Sequence, residues 1–421
     1  MRRSPNLSER GNLDVSSPVL DRPRPAHRAA DLLAAYLPGS FYFSSPRGSL
    51  LADGVHSFVR GAGHGSHARA AAEALDAAAG VLAEPLVVGA IGFRPDAASS
   101  LVVPAVVRRA GAPEAPLAGA APTAAGPASW TVTPRPAPDA YADGVRRALQ
   151  LIGGGDLDKV VLARCLELTA DAPVPVPALL ARLVRADPAT HAFAVDVTAP
   201  GDPATRTLVG ASPELLVARH GDRVVANPLA GSRPRAGDQA LDRERVAELT
   251  ASEKDRDEHA HVVSQVAEVL GRFCGELHVP ADPEVIGTPT MWHLSSRITG
   301  RLADPADPGS SALALAEALH PTPAVCGVPT ARARDTIAAL EPEDRGYYAG
   351  LVGWTGLGGD GEWVVTIRSA EVCDRAVRLF AGAGIVAGSD PEAELAETTA
   401  KFATMLRALG VRDAATVEGS A

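Results

Sequence analysis

The apolar positions of this chain follow two rhythms. Where they recur every three or four residues they predict helices, over residues 27–37, 68–82, 139–152, 177–186, 241–250, 253–273 and 310–319, with a last one after Asp390-Pro391. Short β-branched or aromatic runs bounded by turn residues predict strands. These cover 40–45 and the stretch after the 46–48 turn, 86–93, 101–107, 156–164, 192–197, 207–210, 215–219, 223–226, a stretch near Trp292, and 347–355, 362–372 and 376–386. The last three read as one meander. Pro104 makes 101–107 an edge strand, and Asp390 with Pro391 forms an N-cap and first helical turn. Strands outnumber helices and join mostly as hairpins, so the expected class is α+β with large antiparallel sheets. Between 111 and 138 the composition shifts to Ala, Pro, Gly and Thr, which reads as a linker or exposed excursion. This divides the chain into a tail (1–25), an N-terminal part (26–110), the excursion, a main core (139–412) and a short tail (413–421).

Composition narrows the function classes. With 46% hydrophobic and 21% charged residues over 421 positions, the chain can bury a large core and is not disordered. A net charge of −10 argues against nucleic acid or an anionic membrane as partner. Any anionic ligand must then be held by local groups. No stretch approaches eighteen apolar residues, and the N-terminal stretch has no apolar leader core, so a cytoplasmic location is expected. Cys165, Cys274, Cys326 and Cys373 stand singly and suggest neither a zinc site nor a disulfide framework. Nothing marks an oligomer interface, and a monomer is expected.

Lys159 opens the apolar run Val160-Val161-Leu162-Ala163 after a triple-glycine break. The chain has only three lysines, Lys159, Lys254 and Lys401, against 37 arginines, the 40 basic residues less those three. Arginine keeps its proton in proteins, whereas a desolvated lysine can lose it and act as a base. The plainer reading is a strand-end lysine with its head in water. Helical spacing puts Asp255 and Glu258 on one face, and Glu394, Glu397 and Lys401 on one face of the last helix. Such carboxylates could converge on a hard cation such as Mg²⁺, or simply complement helix dipoles and form an i,i+4 ion pair. In Ser212-Pro213-Glu214 the proline presents a carboxyl that is either a general acid or a solvated turn residue. Ala381-Gly382-Ala383-Gly384 and Leu229-Ala230-Gly231-Ser232 are amide cradles for an anion or tight turns, and neither has dinucleotide-fingerprint spacing. Arg368, in an apolar run, needs a carboxylate partner from the chain or from a ligand.

Taken in order, the segments FYFSSPRGSLLADG, VVGAIGFRPD, DKVVLAR, GASPELL, PLAGSRPR, ASEKDRDEH, TPTMWHL, HPTPAVCG, GEWVVTIR, LFAGAGIV and ETTAK resemble the chorismate-utilising enzymes, most closely the isochorismate synthases of catecholate siderophore pathways. The resemblance runs from Phe41 onward and leaves out the N-terminal tail and 111–138. It implies two large facing antiparallel sheets surrounded by helices, with the active site between them, and Mg²⁺ as cofactor. By the same resemblance Lys159 is the base that activates water and Glu214 the general acid. Glu258 and Glu397 are implied as Mg²⁺ ligands, with Asp255 and Glu394 as outer carboxylates. Gly231, Ser232, His293, Ala324, Tyr348, Arg368, Gly382 and Lys401 match substrate positions.

The implied activity is conversion of chorismate to isochorismate, feeding 2,3-dihydroxybenzoate synthesis. Chorismate is the only expected partner. Aminating relatives resemble one another in lacking the water-activating lysine, and salicylate synthases in having threonine where this chain has Ala324. Ile367 and Phe380 resemble the isochorismate-only type, while Tyr348 is closer to the lyases. A salicylate synthase, a menaquinone-pathway isochorismate synthase and a silent chorismate-binding protein are the alternatives.

Overall fold

The computed structural model describes residues 27–61, 63, 65–114 and 126–411. The tails expected at 1–25 and 413–421 lie outside these residues. Two large antiparallel sheets and one small one organise the described chain.

The first sheet runs, in spatial order, Gly327–Val328, Lys159–Ala170, Ala376–Ile385, Ser369–Cys373, Arg206–Ser212, His191–Asp196, Phe41–Ser45, Gly48–Asp53 and Val106–Ala110. The second runs Cys274–His278, Ile298–Leu302, Arg223–Asn227, Leu215–His220, Gly361–Val365, Leu351–Gly356, Leu86–Ile91, Ser99–Val103 and Ser57–Val59. The small sheet joins Leu229–Pro234, Met291–Ser295 and Glu284–Gly287.

Most central strands are buried on both faces, which is why they read as continuous apolar runs rather than alternating ones. Phe41, Phe43, Phe193, Val195 and Leu208 face Val88, Val352 and Val364 across the gap between the large sheets. Their neighbours in sequence, such as Tyr42, Ala194 and Val209, turn to the outer face of the first sheet. There they pack under helices Ala29–Ala34, Val176–Ala186 and Pro391–Leu409. The outer side of the second sheet packs, through Val87, Val217 and Trp363, against Leu75, Val262, Leu313 and Leu315 of three further helices. No helix among the described residues is long and apolar enough to cross a membrane, and all four cysteines are free.

Several expectations hold closely. The last helix starts where its N-cap predicted: the Asp390 side chain accepts the Ala393 N–H at 2.9 Å. Four expectations are corrected. The edge strand expected over 101–107 is two strands parted at Pro104, Ser99–Val103 inside the second sheet and Val106–Ala110 at the edge of the first. The 111–138 excursion is not all connection, because Trp130–Arg135 forms a strand paired to Lys159–Ala170. Its Thr, Pro and Arg content hid it, since only one face is covered. The expected meander is not one sheet: Leu351–Gly356 and Gly361–Val365 belong to the second sheet, Ser369–Cys373 and Ala376–Ile385 to the first. The chain crosses through Thr366-Ile367-Arg368, with Arg368 at φ +51°. Arg368 is therefore in the crossing and not inside a strand. Finally, helix Thr330–Leu340 and strands Cys274–His278, Glu284–Gly287 and Ile298–Leu302 carry too few apolar positions to have been read.

One buried ion pair ties these elements together. Arg345 is 2% exposed and donates to both Glu341 carboxylate oxygens, at 2.8 and 2.5 Å. It also donates to the carbonyls of Val325 at 2.7 Å and Val161 at 2.8 Å. Glu341 in turn accepts the Ala163 N–H at 2.8 Å. Removing one partner of a satisfied buried pair leaves the other charge stranded. Arg345→Ala should therefore lower stability by about 3–5 kcal/mol in equilibrium denaturation, with part recovered in the Glu341→Ala, Arg345→Ala double variant.

Candidate active site

The site forms where the Lys159 strand, the Gly382 strand, the Pro213 connection and the sheet crossing at Arg368 meet. The small sheet and helices Glu253–Leu270 and Pro391–Leu409 close it. A cavity of about 60 Å³ lies there. Its lining includes eleven of the fourteen residues singled out above: Glu214, Gly231, Ser232, Glu258, His293, Ala324, Tyr348, Arg368, Gly382, Glu397 and Lys401. Lys159, Asp255 and Glu394 lie just behind the wall.

All three lysines meet carboxylates here. Lys159 is fully buried, with Nζ 3.0 Å from Glu258 Oε1. The contact is short enough for an ion pair but not aligned as a hydrogen bond, and Nζ has no other hydrogen-bond partner. Lys401 Nζ lies 2.6 Å from Glu397 Oε1 and donates to the Gly382 carbonyl at 2.9 Å. Lys254 Nζ donates to Glu394 Oε1 at 2.5 Å, which leaves the buried Oε2 of Glu394 without a partner. Ser232 Oγ adds a 3.0 Å bond to Glu397. Burial opposes ionisation of Glu397, but Lys401, Lys254 and Ser232 outweigh it and hold its pKa down at about 2. Glu394 shifts the other way, raised by burial and by the Glu397 charge. Asp255 is committed to Arg233 at 2.7 Å and does not reach the cavity.

Glu214 stands opposite as a different kind of acid. It is 3% exposed, and its Oε1 has no hydrogen-bond partner. Burial pushes its pKa up to about 7 from the ordinary 4.5, against the Leu229 N–H and the charges of Lys159, Arg368 and Lys401. His293 pairs with Ser232 across the small sheet. Burial, with Arg368 and Lys401 nearby, drives its pKa well below the usual range, so the ring is neutral. The Tyr348 ring stacks on Phe380 at 5.2 Å, and its hydroxyl is pushed up to about 12 by burial. Arg368 is 9% exposed and forms no ion pair among the described residues. Burial lowers its pKa from the ordinary value. A charge so placed invites an anion.

Two glycines make room for these groups. Gly231 has φ +75°, and a Cβ there would come within 3.0 Å of Asp255 Cβ. At Gly384 a Cβ would lie 2.1 Å from Glu258 Oε1 and 3.0 Å from Lys159 Cε. Arg233 was not singled out in the sequence and was legible only as part of a basic run, while Gly384 was read as part of a possible amide cradle and not as the space that Glu258 and Lys159 occupy.

The donor set suits a hard cation. The acids lining the cavity offer only oxygen, and the orphaned Glu394 Oε2 lies behind them. Among the described residues no group of three or more His, Cys, Asp or Glu side chains is placed so that it could hold a metal ion. Glu258 and Glu397 would thus hold an ion with substrate and water completing its shell, which is how Mg²⁺ is commonly bound.

A buried acid and a buried amine beside clustered carboxylates and an unpaired guanidinium are groups able to hold a small anion and to move protons at it. A family model described as chorismate binding enzyme matches residues 112–410. The chain is 48% identical to isochorismate synthase DhbC of Bacillus subtilis strain 168, over 91% of this chain and 97% of that one. It is 40% identical to isochorismate synthase EntC of Escherichia coli K12, over 92% and 98%. The solved structure of DhbC from Bacillus anthracis, described as a candidate 2,3-dihydroxybenzoate-specific isochorismate synthase, superposes with a TM-score of 0.86. It is 42% identical, over 91% of this chain and 100% of that one. The chain belongs to the chorismate-binding enzymes.

Displacing a catalytic group by about an ångström can cost on the order of 100-fold in rate. Gly384→Ala should cut chorismate turnover by about that factor while near-ultraviolet circular dichroism stays native. Full turnover by this variant would show that Glu258 and Lys159 do not need the space.

Proposed function

We propose that this chain is an Mg²⁺-dependent isochorismate synthase, with Lys159 as base and Glu214 as acid. The observation that carries the reading is the pairing of a carboxyl held near pKa 7 with a fully buried lysine at a cavity that also holds Arg368 and Lys401. Charge balance supports it. With Glu214 protonated and Lys159 neutral, Glu258, Glu394 and Glu397 stand against Lys254, Lys401 and Arg368, and a dianion entering with a divalent cation leaves that balance unchanged.

Glu258 and Glu397 would hold Mg²⁺, which when bound would supply Lewis acidity toward the ring carboxylate of chorismate. The chain's own groups do the rest. Lys159 in its neutral form takes a proton from water as the water oxygen bonds to C2. Glu214 protonates the C4 hydroxyl as its C–O bond breaks, and the ring double bonds shift. The proton gained by Lys159 balances the one lost by Glu214, so returning it restores the enzyme, and the reaction runs in both directions. Arg368, Lys401 and the cradle around Gly382 hold the carboxylates, the polar environment that lets an acidic chain bind an acidic substrate. Glu258 covers the Lys159 amine, so any movement of Glu258 into the cavity uncovers the base.

The 2,3-dihydroxybenzoate route is the proposed destination, supported by the likeness to the DhbC proteins. The Tyr348 hydroxyl favours a second reading, that some isochorismate goes on to lose pyruvate.

The deciding experiment incubates the purified chain with chorismate and Mg²⁺ and separates the products. Isochorismate without pyruvate is the expected result. Salicylate with equal pyruvate would move the chain to the salicylate synthases, and no turnover would leave a silent binder. Chelator should abolish activity and Mg²⁺ restore it, and full activity in EDTA would remove the metal from the reading.

The pH profile tests Glu214 separately. The acid must be protonated, and its pKa is about 7. The kcat/KM of the free enzyme should fall about tenfold per pH unit above that value. The same raised pKa gives a stability contribution that is complete below about 4.5 and is lost as pH rises through about 7. Glu214→Gln should lose both turnover and this pH dependence of stability.

A further inference from the structure

A second cavity, of about 260 Å³, adjoins the catalytic one of about 60 Å³. Pro213 and Arg368 line both. Three other large cavities share no lining residue with the catalytic one. The second cavity lies between helix Val176–Ala186, the C-terminal half of helix Pro391–Leu409 and the turn at 288–290.

Its charge is opposite to that of the chain as a whole. Arg182, Arg368 and Arg407 line it against the single carboxylate of Asp187, in a protein of net charge −10. Arg407 is exposed at the rim, and its guanidinium has no hydrogen-bond or ion-pair partner among the described residues. Arg182 keeps one nitrogen on the Ala408 carbonyl at 2.8 Å, which holds it in the wall. The roof is joined to the helix by a 2.8 Å bond between the Thr290 and Thr404 hydroxyls. Thr404 lies about one helical turn beyond Lys401, so one helix presents side chains to both cavities.

We propose that this chamber is the access route to the catalytic cavity and a waiting position for a cyclic dicarboxylate dianion on its way in, and for its isomer on its way out. The inference rests on the chorismate reading. The catalytic cavity is walled mostly by buried groups, with Pro213, Ala324, Ile367, Glu397 and Lys401 part-buried, and a dianion approaching an acidic protein is repelled except where local cations reverse the field. Arg368 forms no ion pair with the chain among the described residues and belongs to both walls, so it can take a carboxylate from the chamber and keep hold of it inside.

A Lys159→Ala background allows chorismate binding to be followed without turnover, by stopped-flow tryptophan fluorescence. Trp292, beside His293 of the catalytic wall, is the expected reporter. Rim charges act on association rates and their salt dependence more than on dissociation. Arg407→Glu should slow association about 3–10-fold at low salt, leave dissociation unchanged and flatten the salt dependence, and Arg407→Lys should restore it. Arg69→Glu carries the same charge change on helix His67–Ala78, which contributes to neither cavity, and should leave both rates unchanged. Ala186→Phe, which narrows the chamber at an exposed position, should slow association and dissociation by the same factor, with Kd within about twofold, because an obstacle on the route changes rates and not the end states.

Unchanged rates in both Arg407→Glu and Ala186→Phe, in a protein whose wild type makes isochorismate, would overturn this inference alone. Equal slowing by Arg407→Glu and Arg69→Glu would also overturn it, by assigning the effect to the general field. Absence of any chorismate binding would overturn it together with the reading it rests on.

Discussion

Burying lysines against carboxylates is the constraint on which this site depends. Each such pair gives up the hydration of two ions, a cost that Coulomb attraction offsets only with good geometry and further hydrogen bonds. The Lys401–Glu397 pair has both, through Ser232 and the Gly382 carbonyl. The Lys159–Glu258 contact has neither, being close but poorly aligned, with Nζ otherwise unsatisfied. Glu394 keeps one oxygen orphaned behind Lys254. The well-satisfied pair suits a fixed clamp, and the two poorly satisfied groups are those whose surroundings a ligand can improve. Stability gains little from such an arrangement, and function accounts for it better.

The rest of the fold serves to hold those groups in place. Lys159 is the first residue of a twelve-residue strand hydrogen-bonded on both sides, so its position is set by a long ladder and not by a loop. The Arg345–Glu341 pair then grips the carbonyls of Val161 and Val325 and the Ala163 N–H, fixing the Lys159 strand relative to the loop that carries Ala324. On the far side, the crossing from the second sheet to the first puts Arg368 in a left-handed conformation where a regular strand cannot continue. The crossing therefore delivers a guanidinium to the seam between the sheets, next to Pro213-Glu214, which also leaves one large sheet for the other.

Two carboxyls in one cavity end up with opposite properties because their neighbours differ. Glu397 has two lysines and a serine to stabilise its charge, whereas Glu214 is dominated by burial, with the nearby cations only partly compensating. An anion-holding acid and a proton-donating acid thus arise from the same residue type. Separating two titratable groups by environment is the general way in which acid and base roles are assigned at neutral pH.

Much of this was legible along the chain, and the reasons are local. Three lysines among 37 arginines (40 basic residues less three) pointed to chemistry that arginine cannot do, and each lysine does meet a site carboxylate. Helical spacing placed Glu394, Glu397 and Lys401 on one face, and the Asp390-Pro391 start of that helix was readable because capping needs only adjacent residues. Segment order carried the family resemblance. The partners could not be read. Asp255 and Glu258 lie three residues apart, yet one pairs with Arg233 and the other with Lys159, because the partners come from different sheets. Nor could the sequence show that residues 361–373 leave one sheet for the other, that Glu214 is buried enough to keep its proton near neutrality, or that a second arginine-lined cavity adjoins the first. By itself the sequence determined the residue types, their helical and strand spacing and the caps, which depend on neighbours a few positions apart. Tertiary structure alone decided pairing, burial and proton affinity, because those depend on which distant groups exclude water from each charge.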